Sequence, residues 1–330
     1  MSQVAVSNKA FNMNGLLKYS GYIAFILIAV YFTWSSPVFL TLHNVKNILL
    51  QSSALGIVSC GMTAILIGGG NHVIKGGIDL SLANNLALNV AITAVLINQG
   101  FSIITAFSVA FLCSVLIGII NAFSIIKLKI IPLLSTLAMM YLLQGMVLLI
   151  TNNTVVNVTD PVMISLATTE VLGLPIQIWI FAIIGGTLYI LFHHSIFGNW
   201  VHAIGGNSQA AINAGINVTL IVGLTYVIAS ITAAIAGLLV SARLSGSVPG
   251  IGDLMLLDVL LAGYMSAIFS RLSIPNMTGA ILSAIFVGML SNGFTLINVP
   301  TYWVYAIKGA LILLAVSITT IQQRRGTVHG

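Results

Sequence analysis

Long apolar segments separated by short polar turns run along almost the whole chain. A helix needs about 20 mostly apolar residues to cross the hydrocarbon core of a bilayer. Ten segments fit this pattern: 20–36, 52–70, 78–98, 102–126, 131–151, 176–193, 217–241, 253–270, 275–297 and 302–320. The pattern therefore predicts an all-α membrane protein, a polytopic bundle of about ten transmembrane helices.

One segment between the first two spans is too short and too polar to cross a membrane. Within 41–51, the apolar residues Leu42, Val45, Ile48 and Leu49 fall on one face of a helix. This spacing is typical of a helix that lies along the membrane surface, so we expect 41–51 to lie at the exterior interface.

The distribution of lysine and arginine predicts the orientation. Cytoplasmic termini would place most of the basic residues inside and only Lys46 and Arg243 outside, as the positive-inside rule requires. The inside set is Lys9, Lys18, Lys75, Lys127, Lys129, Arg271, Arg324 and Arg325. Because no small-residue cleavage site follows the first apolar run, that run is interpreted as an uncleaved helix. We expect 1–19 and 321–330 to be cytoplasmic segments around a membrane domain at 20–320.

Composition excludes several classes of protein. Charged residues make up 5% of the 330 residues, against about 25% in an ordinary soluble domain. A soluble enzyme, a nucleic-acid-binding protein and a disordered chain all need a more polar surface. The two cysteines lie in apolar runs without other metal-binding residues nearby, so neither a disulfide nor a metal site is expected. No nucleotide-binding or hydrolase motif is found, so we expect no catalytic residue and no cofactor.

Small residues form stripes on the seventh and ninth spans, where they allow close helix packing or line a pathway. The stripes are Ser230, Ala234, Gly237 and Ser241; Gly279 and Ser283; and Ala284, Gly288 and Asn292.

Two acidic residues fall in or near predicted spans, where a charge is costly. Asp79, at the start of the third span, either caps that helix or, together with Ser81, orients a loop at the helix N-terminus or touches a polar solute. Asp258, five residues into the eighth span, either bonds to a neighbouring helix or lines a pathway. Arg243, placed just beyond the seventh span, either reaches lipid head groups or pairs with an acid on an exterior partner protein.

The polar segment 198–216 predicts a short helix of about two turns between two spans. Gly205 and Gly206 permit a sharp turn, Asn207 is a good N-cap, and Gly215 suits the position that follows a helix. Such a helix either fits a groove on another protein or is an ordinary connection.

Four stretches in order resemble the membrane permeases of sugar-type bacterial ABC importers, the group with the ribose, xylose and autoinducer permeases. They are Gly76–Ser81 (Gly-Gly-Ile-Asp-Leu-Ser), Ile131–Met140, Ala203–Ile216, and Ala236–Leu244 with Leu257-Asp258 after it. The resemblance covers roughly 20–320 and implies a permease domain there.

Membership would imply the function of a permease subunit in the inner membrane that moves a small neutral polar solute, such as a sugar. The implied partners are a cytoplasmic ATP-binding subunit, a periplasmic solute-binding protein, a second permease subunit and membrane lipid, with no nucleic acid. The implied ATPase-coupling residues are Ala203, Ile204, Gly205, Gly206, Asn207, Ala210, Ala211 and Gly215. Candidate pathway residues are Asp79, Ser81, Asn85, Ser241, Asp258 and Asn292, and Arg243 is a candidate contact for the binding protein.

The chain departs from the family pattern in two places. The coupling segment lacks the usual charged residues: Asn199 and Gln209 stand at two of those positions and Ile212 or Asn213 at a third, and Ser208 replaces the usual proline. The glycine-rich turn expected at 266–276 is replaced, which fits either a divergent subfamily or one half of a heterodimeric permease.

Two other functions remain open from the residues alone. An ion-coupled secondary transporter would use Asp79 or Asp258 as its ion or proton site. A membrane enzyme would need a polar cluster at one interface, for which His193, His194 and His202 are the nearest residues.

Overall fold

The computed structural model describes residues 19–69, 77–270 and 274–326, and side chains as far as residue 318. Residues 1–18 and 327–330, Lys75 and Arg271 lie outside the described residues, as does part of the replaced turn at 266–276. The predicted orientation depends largely on basic residues in these places and at the end of the last helix. It therefore stays a prediction, and "exterior" and "cytoplasmic" below follow it.

Within the described ranges the chain is almost entirely helical. The helices are α1 (Ser20–Ser35), α2 (Leu42–Gly69), α3 (Leu82–Asn98), α4 (Ile103–Ile126), α5 (Pro132–Ile150), α6 (Pro161–Thr168), α7 (Ile176–His193), α8 (Ile196–Gly206), α9 (Ser208–Asn213), α10 (Val218–Leu244), α11 (Ile251–Ile268), α12 (Met277–Leu296) and α13 (Thr301–Gly326). Four two-residue strands pair antiparallel: β1 (Val156–Asn157) with β4 (Gly246–Ser247), and β2 (Glu170–Val171) with β3 (Leu174–Pro175).

The predicted polytopic bundle is confirmed. Each of the ten predicted spans corresponds to a helix, and eight of these helices are long and apolar enough to cross a membrane. The other two, α1 and α3, have 16 and 17 residues and are also apolar.

The prediction of a separate surface helix at 41–51 is wrong. Helix α2 runs without a break from Leu42 to Gly69, so this segment is the first part of the second span. Asn44 of this segment is buried, and it donates from Nδ2 to the carbonyl of Phe39 and to Oδ1 of Asn292 on α12, each at 2.9 Å. A partner on another helix therefore accounts for the polarity of Asn44, one of the residues that suggested an interfacial position.

Helix α2 lies at the centre of the bundle, and small residues let other helices approach it closely. Residues 52–68 of α2 are all buried. A methyl group added to Gly288 of α12 would lie 2.1 Å from Oγ of Ser52. The stripes on α10 and α12 are buried in the same way, since a methyl group on Gly237 would lie 2.7 Å from Cβ of Asn89. The packing interpretation of these stripes is therefore the one that the contacts support.

Helix α3 begins inside the bundle. Asp79, three residues before α3, hydrogen-bonds to Asn121 of α4. Asn121 lies five residues before the end of α4, which places Asp79 about 8 Å from that end at 1.5 Å per residue. The segment 77–81 is therefore non-helical backbone at membrane depth, which is tolerated only where protein surrounds it.

Replacement of Gly279 by alanine should destabilise the bundle. An added Cβ would lie 2.0 Å from the carbonyl oxygen of Ser266, and backbone cannot move aside as a side chain can. We expect a loss of about 1–3 kcal/mol in the free energy of unfolding, measured as a lower melting temperature in detergent. Gly186→Ala is the matched control, because a methyl group added there would have no neighbouring helix or side chain within 4 Å. Equal stability of the two variants would contradict close packing at Gly279.

Candidate translocation and coupling sites

The carboxylate of Asp79 is buried in a local network. Its Oδ1 accepts from the backbone N–H of Ser81 at 2.8 Å and from Ser81 Oγ at 2.6 Å, and its Oδ2 accepts from Nδ2 of Asn121 at 3.3 Å. The side chain of Thr136 accepts from the N–H of Leu80. These contacts fix the turn before α3, so Asp79 and Ser81 orient the loop at the start of that helix. The predicted Asp79 cap is wrong, because Ser81 occupies the N-cap position, and contact with a polar solute stays a prediction.

Asn85 and Ser241, both predicted to line a pathway, lie between packed helices. Oδ1 of Asn85 accepts from Oγ of Ser114 on α4 at 2.8 Å. Asn85 is 1% exposed and Ser241 is 0% exposed. Both side chains are therefore enclosed by packed helices in the described part of this chain.

Asn292, the second of the two amides predicted in the pathway, joins two helices instead. It exchanges two 2.9 Å hydrogen bonds with the amide of Asn44. The pair uses a donor and an acceptor of each side chain, which stabilises the contact between α2 and α12 in a low-dielectric interior.

Asp258 forms an ion pair with Lys308 of α13. The distance from Lys308 Nζ to Asp258 Oδ1 is 2.6 Å, and Lys308 is 6% exposed. Each residue lies seven positions after the start of its helix, about 10 Å from that end. The bond to a neighbouring helix was one of the two interpretations of Asp258, but the sequence reasoning missed the partner. Equal distances of opposite charges from the exterior ends of their helices are a signal that could have found it.

The polar segment between α7 and α10 folds as two short helices, α8 and α9. Asn207 separates them with φ −155° and caps α9, because its Oδ1 accepts from the N–H of Ala210 at 3.0 Å. Gly215 has φ +81°, and its N–H donates to Ile212 while the N–H of Ile216 donates to Ala211. The predicted N-cap is therefore present at the start of α9, and the predicted terminating glycine forms a complete C-terminal capping motif at its end.

The predicted turn at Gly205 and Gly206 is not present, because both glycines belong to the last turn of α8. The change of direction occurs at Asn207, whose extended backbone needs no glycine.

The coupling segment presents one set of side chains outward and holds the other against the bundle. Buried Val201, Ile204 and Ala211 pack with Ile67 of α2 and Ile221 of α10. The other predicted coupling residues are half-buried (Gly205) or exposed (Ala203, Gly206, Asn207, Ala210 and Gly215). The segment is thus a rigid attachment with a small exposed surface. Burial also lowers the pKa of His202 on α8, against the opposing effect of a hydrogen bond to the backbone of Phe192.

At the exterior end, Arg243 has no partner for its side chain within the described residues, whereas the side chains of the acidic residues Asp160 and Glu170 both have partners. It lies in the last turn of α10 rather than beyond the helix, where a positive charge stabilises the C-terminus. Asp160 is engaged as the N-cap of α6, and Glu170 pairs with Lys46 at 3.1 Å. Within the described residues, no hydrogen bond or ion pair engages the half-buried guanidinium of Arg243.

Comparison with known proteins gives the family. Residues 44–316 match the family of the permease component of branched-chain amino acid transport systems. The chain belongs to this permease family. No solved structure matches the permease at a significant level.

Curated relatives of the permease are sugar transport proteins. It is 29% identical to the ribose import permease protein RbsC of Escherichia coli K12, over 98% of this chain and 99% of that protein. It is 28% identical to RbsC of Bacillus subtilis, over 95% and 96%. It is 26% identical to the xylose transport system permease protein XylH of E. coli K12, over 92% and 91%. The permease is thus a multi-pass protein of the bacterial inner membrane and a transport component, as the resemblance predicted.

The histidines considered for an enzyme have structural contacts in the permease. Nε2 of His193 accepts from the backbone N–H of Met277 at 3.4 Å, at the start of α12, and its ring lies 5.7 Å from that of His202. These contacts tie the cytoplasmic ends of α7, α8 and α12 together.

Removal of one member of the Asp258–Lys308 pair should destabilise the permease more than removal of both. Asp258→Asn or Lys308→Gln leaves an unpaired charge inside the bundle, at a cost of about 3 kcal/mol or more. Melting temperatures in detergent measure the effect. We expect Asp258→Asn combined with Lys308→Gln to melt above either single variant, and additive losses would contradict a direct pair.

Proposed function

We propose that the chain is the permease subunit of an ATP-driven importer for a small neutral polar solute, a sugar or sugar-like molecule. The observation that carries the proposal is the similarity to sugar import permeases over nearly the whole of both chains. In this proposal a separate cytoplasmic ATPase supplies the energy, and the permease converts its motion into alternating access.

Residues 203–216 of the coupling segment 198–216 are the proposed ATPase contact. Its exposed small residues, such as Ala203, Gly206 and Ala210, allow close approach of another protein. Its buried residues Ile204 and Ala211 are packed against α2 and α10, so movement of the segment has to move those helices. Because the segment has no charged side chain, we expect the contact to depend on shape and apolar packing rather than on ion pairs.

The exterior end is the proposed contact for a periplasmic solute-binding protein. Arg243 supports this role because its charge has no partner in the described parts of the chain, whereas Asp160 and Glu170 are already engaged. A second permease subunit, identical or different, completes the pathway in this proposal. The solute is proposed to be neutral because amides and hydroxyls far outnumber charges inside the bundle.

Reconstitution tests the energy source. Proteoliposomes containing the permease with its ATPase and binding protein should accumulate D-ribose, D-xylose or L-arabinose when ATP is supplied, and an ionophore should leave the uptake intact. The permease alone should accumulate none of them, because it has no energy supply of its own. Uptake by the permease alone, driven by an ion gradient, would contradict the proposal and favour a secondary transporter.

Introduction of a charge on the exposed face of α9 should weaken ATPase binding. Ala210→Glu places a carboxylate on this surface without disturbing the core, whereas Ala211 is 3% exposed and is unsuitable for the test. We expect at least a tenfold loss of ATPase retained on the purified permease, because an interfacial charge is left unpaired.

Leu128→Glu is the matched control, since Leu128 is 58% exposed in the turn between α4 and α5 at the same end of the bundle. It should retain the ATPase at the wild-type level. If the Ala210→Glu variant retains as much ATPase as the wild-type permease, α9 is not part of the ATPase contact.

A further inference from the structure

A polar cluster that the sequence reasoning did not single out joins α3, α5 and α11. Asp253, in the first turn of α11, accepts from Nε2 of Gln144 on α5 at 2.6 Å and from Nδ2 of Asn84 on α3 at 3.4 Å. Asn84 is 2% exposed, whereas Asp253 and the adjacent Leu254 are exposed. The carboxylate thus accepts hydrogen bonds from two amides on one side and is exposed on the other.

The cluster lies well inside the bundle rather than at its exterior rim. Gln144 lies six residues before the end of α5 and Asn84 lies 14 residues before the end of α3. At 1.5 Å per residue these positions are about 9 and 21 Å from the exterior ends. Both ends border the same exterior cleft, because Asn98 and Ile150 are among the residues that line it. Asp253 itself lies two residues after the start of α11, about 3 Å from that end, so α11 begins beside residues that lie farther in along α3 and α5, within a hydrocarbon core of roughly 30 Å.

An exposed carboxylate at this depth is incompatible with a lipid-facing surface. Ionisable side chains inside membranes almost always face the bundle interior or a water-filled cavity. Above the cluster, between the exterior ends of the same helices α3 and α5, lies an open cleft of about 580 Å³ with a largely polar lining that includes Asn98, Gln99 and Asn157. Polar groups thus occur both at the exterior opening between α3 and α5 and farther in.

The local backbone is adapted to the cluster. A methyl group added to Gly252 would lie 2.0 Å from Oδ1 of Asn84, so glycine is needed for the Asn84 amide to lie against the start of α11. Gly250, with φ +82°, lets the chain turn into α11 immediately before Asp253. Gly250 and Gly252 therefore allow the side chains of Asn84 and Asp253 to lie next to each other.

The geometry points to a solute-contact site at Asn84, Gln144 and Asp253 within the translocation pathway, for a neutral solute with several hydroxyl groups. This inference rests on the proposed transport function and names residues that contact the solute. An ionised carboxylate accepts about four hydrogen bonds, and the two amides occupy only two of these positions. The remaining acceptors suit hydroxyl donors, while the negative charge disfavours anionic solutes.

Cysteine labelling tests whether the cluster faces water. In the assembled complex with Cys60→Ala and Cys113→Ala, Leu254→Cys keeps Asp253 in place beside the new thiol. A small cationic, membrane-impermeant methanethiosulfonate reagent is added from the exterior, because thiols react only where the thiolate is solvated and a cation is not repelled by the Asp253 carboxylate. Leu112→Cys on the apolar outer face of α4 is the lipid control, and Leu172→Cys in the exterior loop is the water control.

We expect Leu254→Cys to react within about tenfold of the water control and far faster than the lipid control. Reaction at the lipid-control rate would overturn the inference. A disulfide between the thiols that Leu254→Cys introduces into two permease subunits, without labelling, would also overturn it and identify an interface.

The transported sugar provides the second test. For whichever of D-ribose, D-xylose and L-arabinose the unmodified complex accumulates, saturating sugar should slow labelling of Leu254→Cys several-fold. Asp253→Ala should raise the KM for uptake at least tenfold, and Asp253→Asn should raise it less, because an amide retains one acceptor. If neither protection nor the KM changes, the site does not contact solute. If none of the three sugars is accumulated, the proposed solute class fails, while the labelling result still decides whether the cluster lines a pathway.

Discussion

The dominant constraint on this protein is that polar groups placed in lipid must find their partners within the protein. The Asp79 carboxylate is matched by Ser81 and Asn121, and the amides of Asn44 and Asn292 match each other. The contacts of Asp79 with Asn121 and of Asn44 with Asn292 join segments that are distant in sequence, so they fix how the helices are arranged. The hydrophobic effect places the helices in the membrane, but these polar contacts and the small-residue stripes determine which helices are neighbours.

Features that depend on local sequence could be predicted, because they follow from hydropathy and capping. The ten spans, the Asn207 cap and the glycine after α9 are of this kind. The surface helix at 41–51 was wrong because hydropathy treats Asn44 as exposed, whereas the structure provides Asn292 as its partner. Tertiary partners of this kind are not encoded in a local window.

The same distinction applies to the candidate pathway. Sequence reasoning selected polar residues because they stand out in apolar spans, yet Asn85, Ser241 and Asn292 are buried between helices. Asp253 was not selected because it is close to a turn, where a charge is unremarkable. Its depth became evident only from the positions of Asn84 and Gln144 along their own helices. For a membrane bundle, depth and exposure together are more informative about a pathway than polarity alone.

The packing also explains how the two ends of the permease can be coupled. The buried residues Val201, Ile204 and Ala211 of the coupling segment contact α2 and α10. The same two helices approach those that carry the polar cluster, since methyl groups added to Gly263 and Gly237 would lie 2.8 and 2.7 Å from Met62 and Asn89. Close-packed helices shift as rigid units between discrete arrangements rather than deforming continuously. In the proposed mechanism a displacement of α8 and α9 is therefore passed through α2 and α10 to α3 and α11, and the Asn84–Asp253 contact spans the boundary between the last two helices.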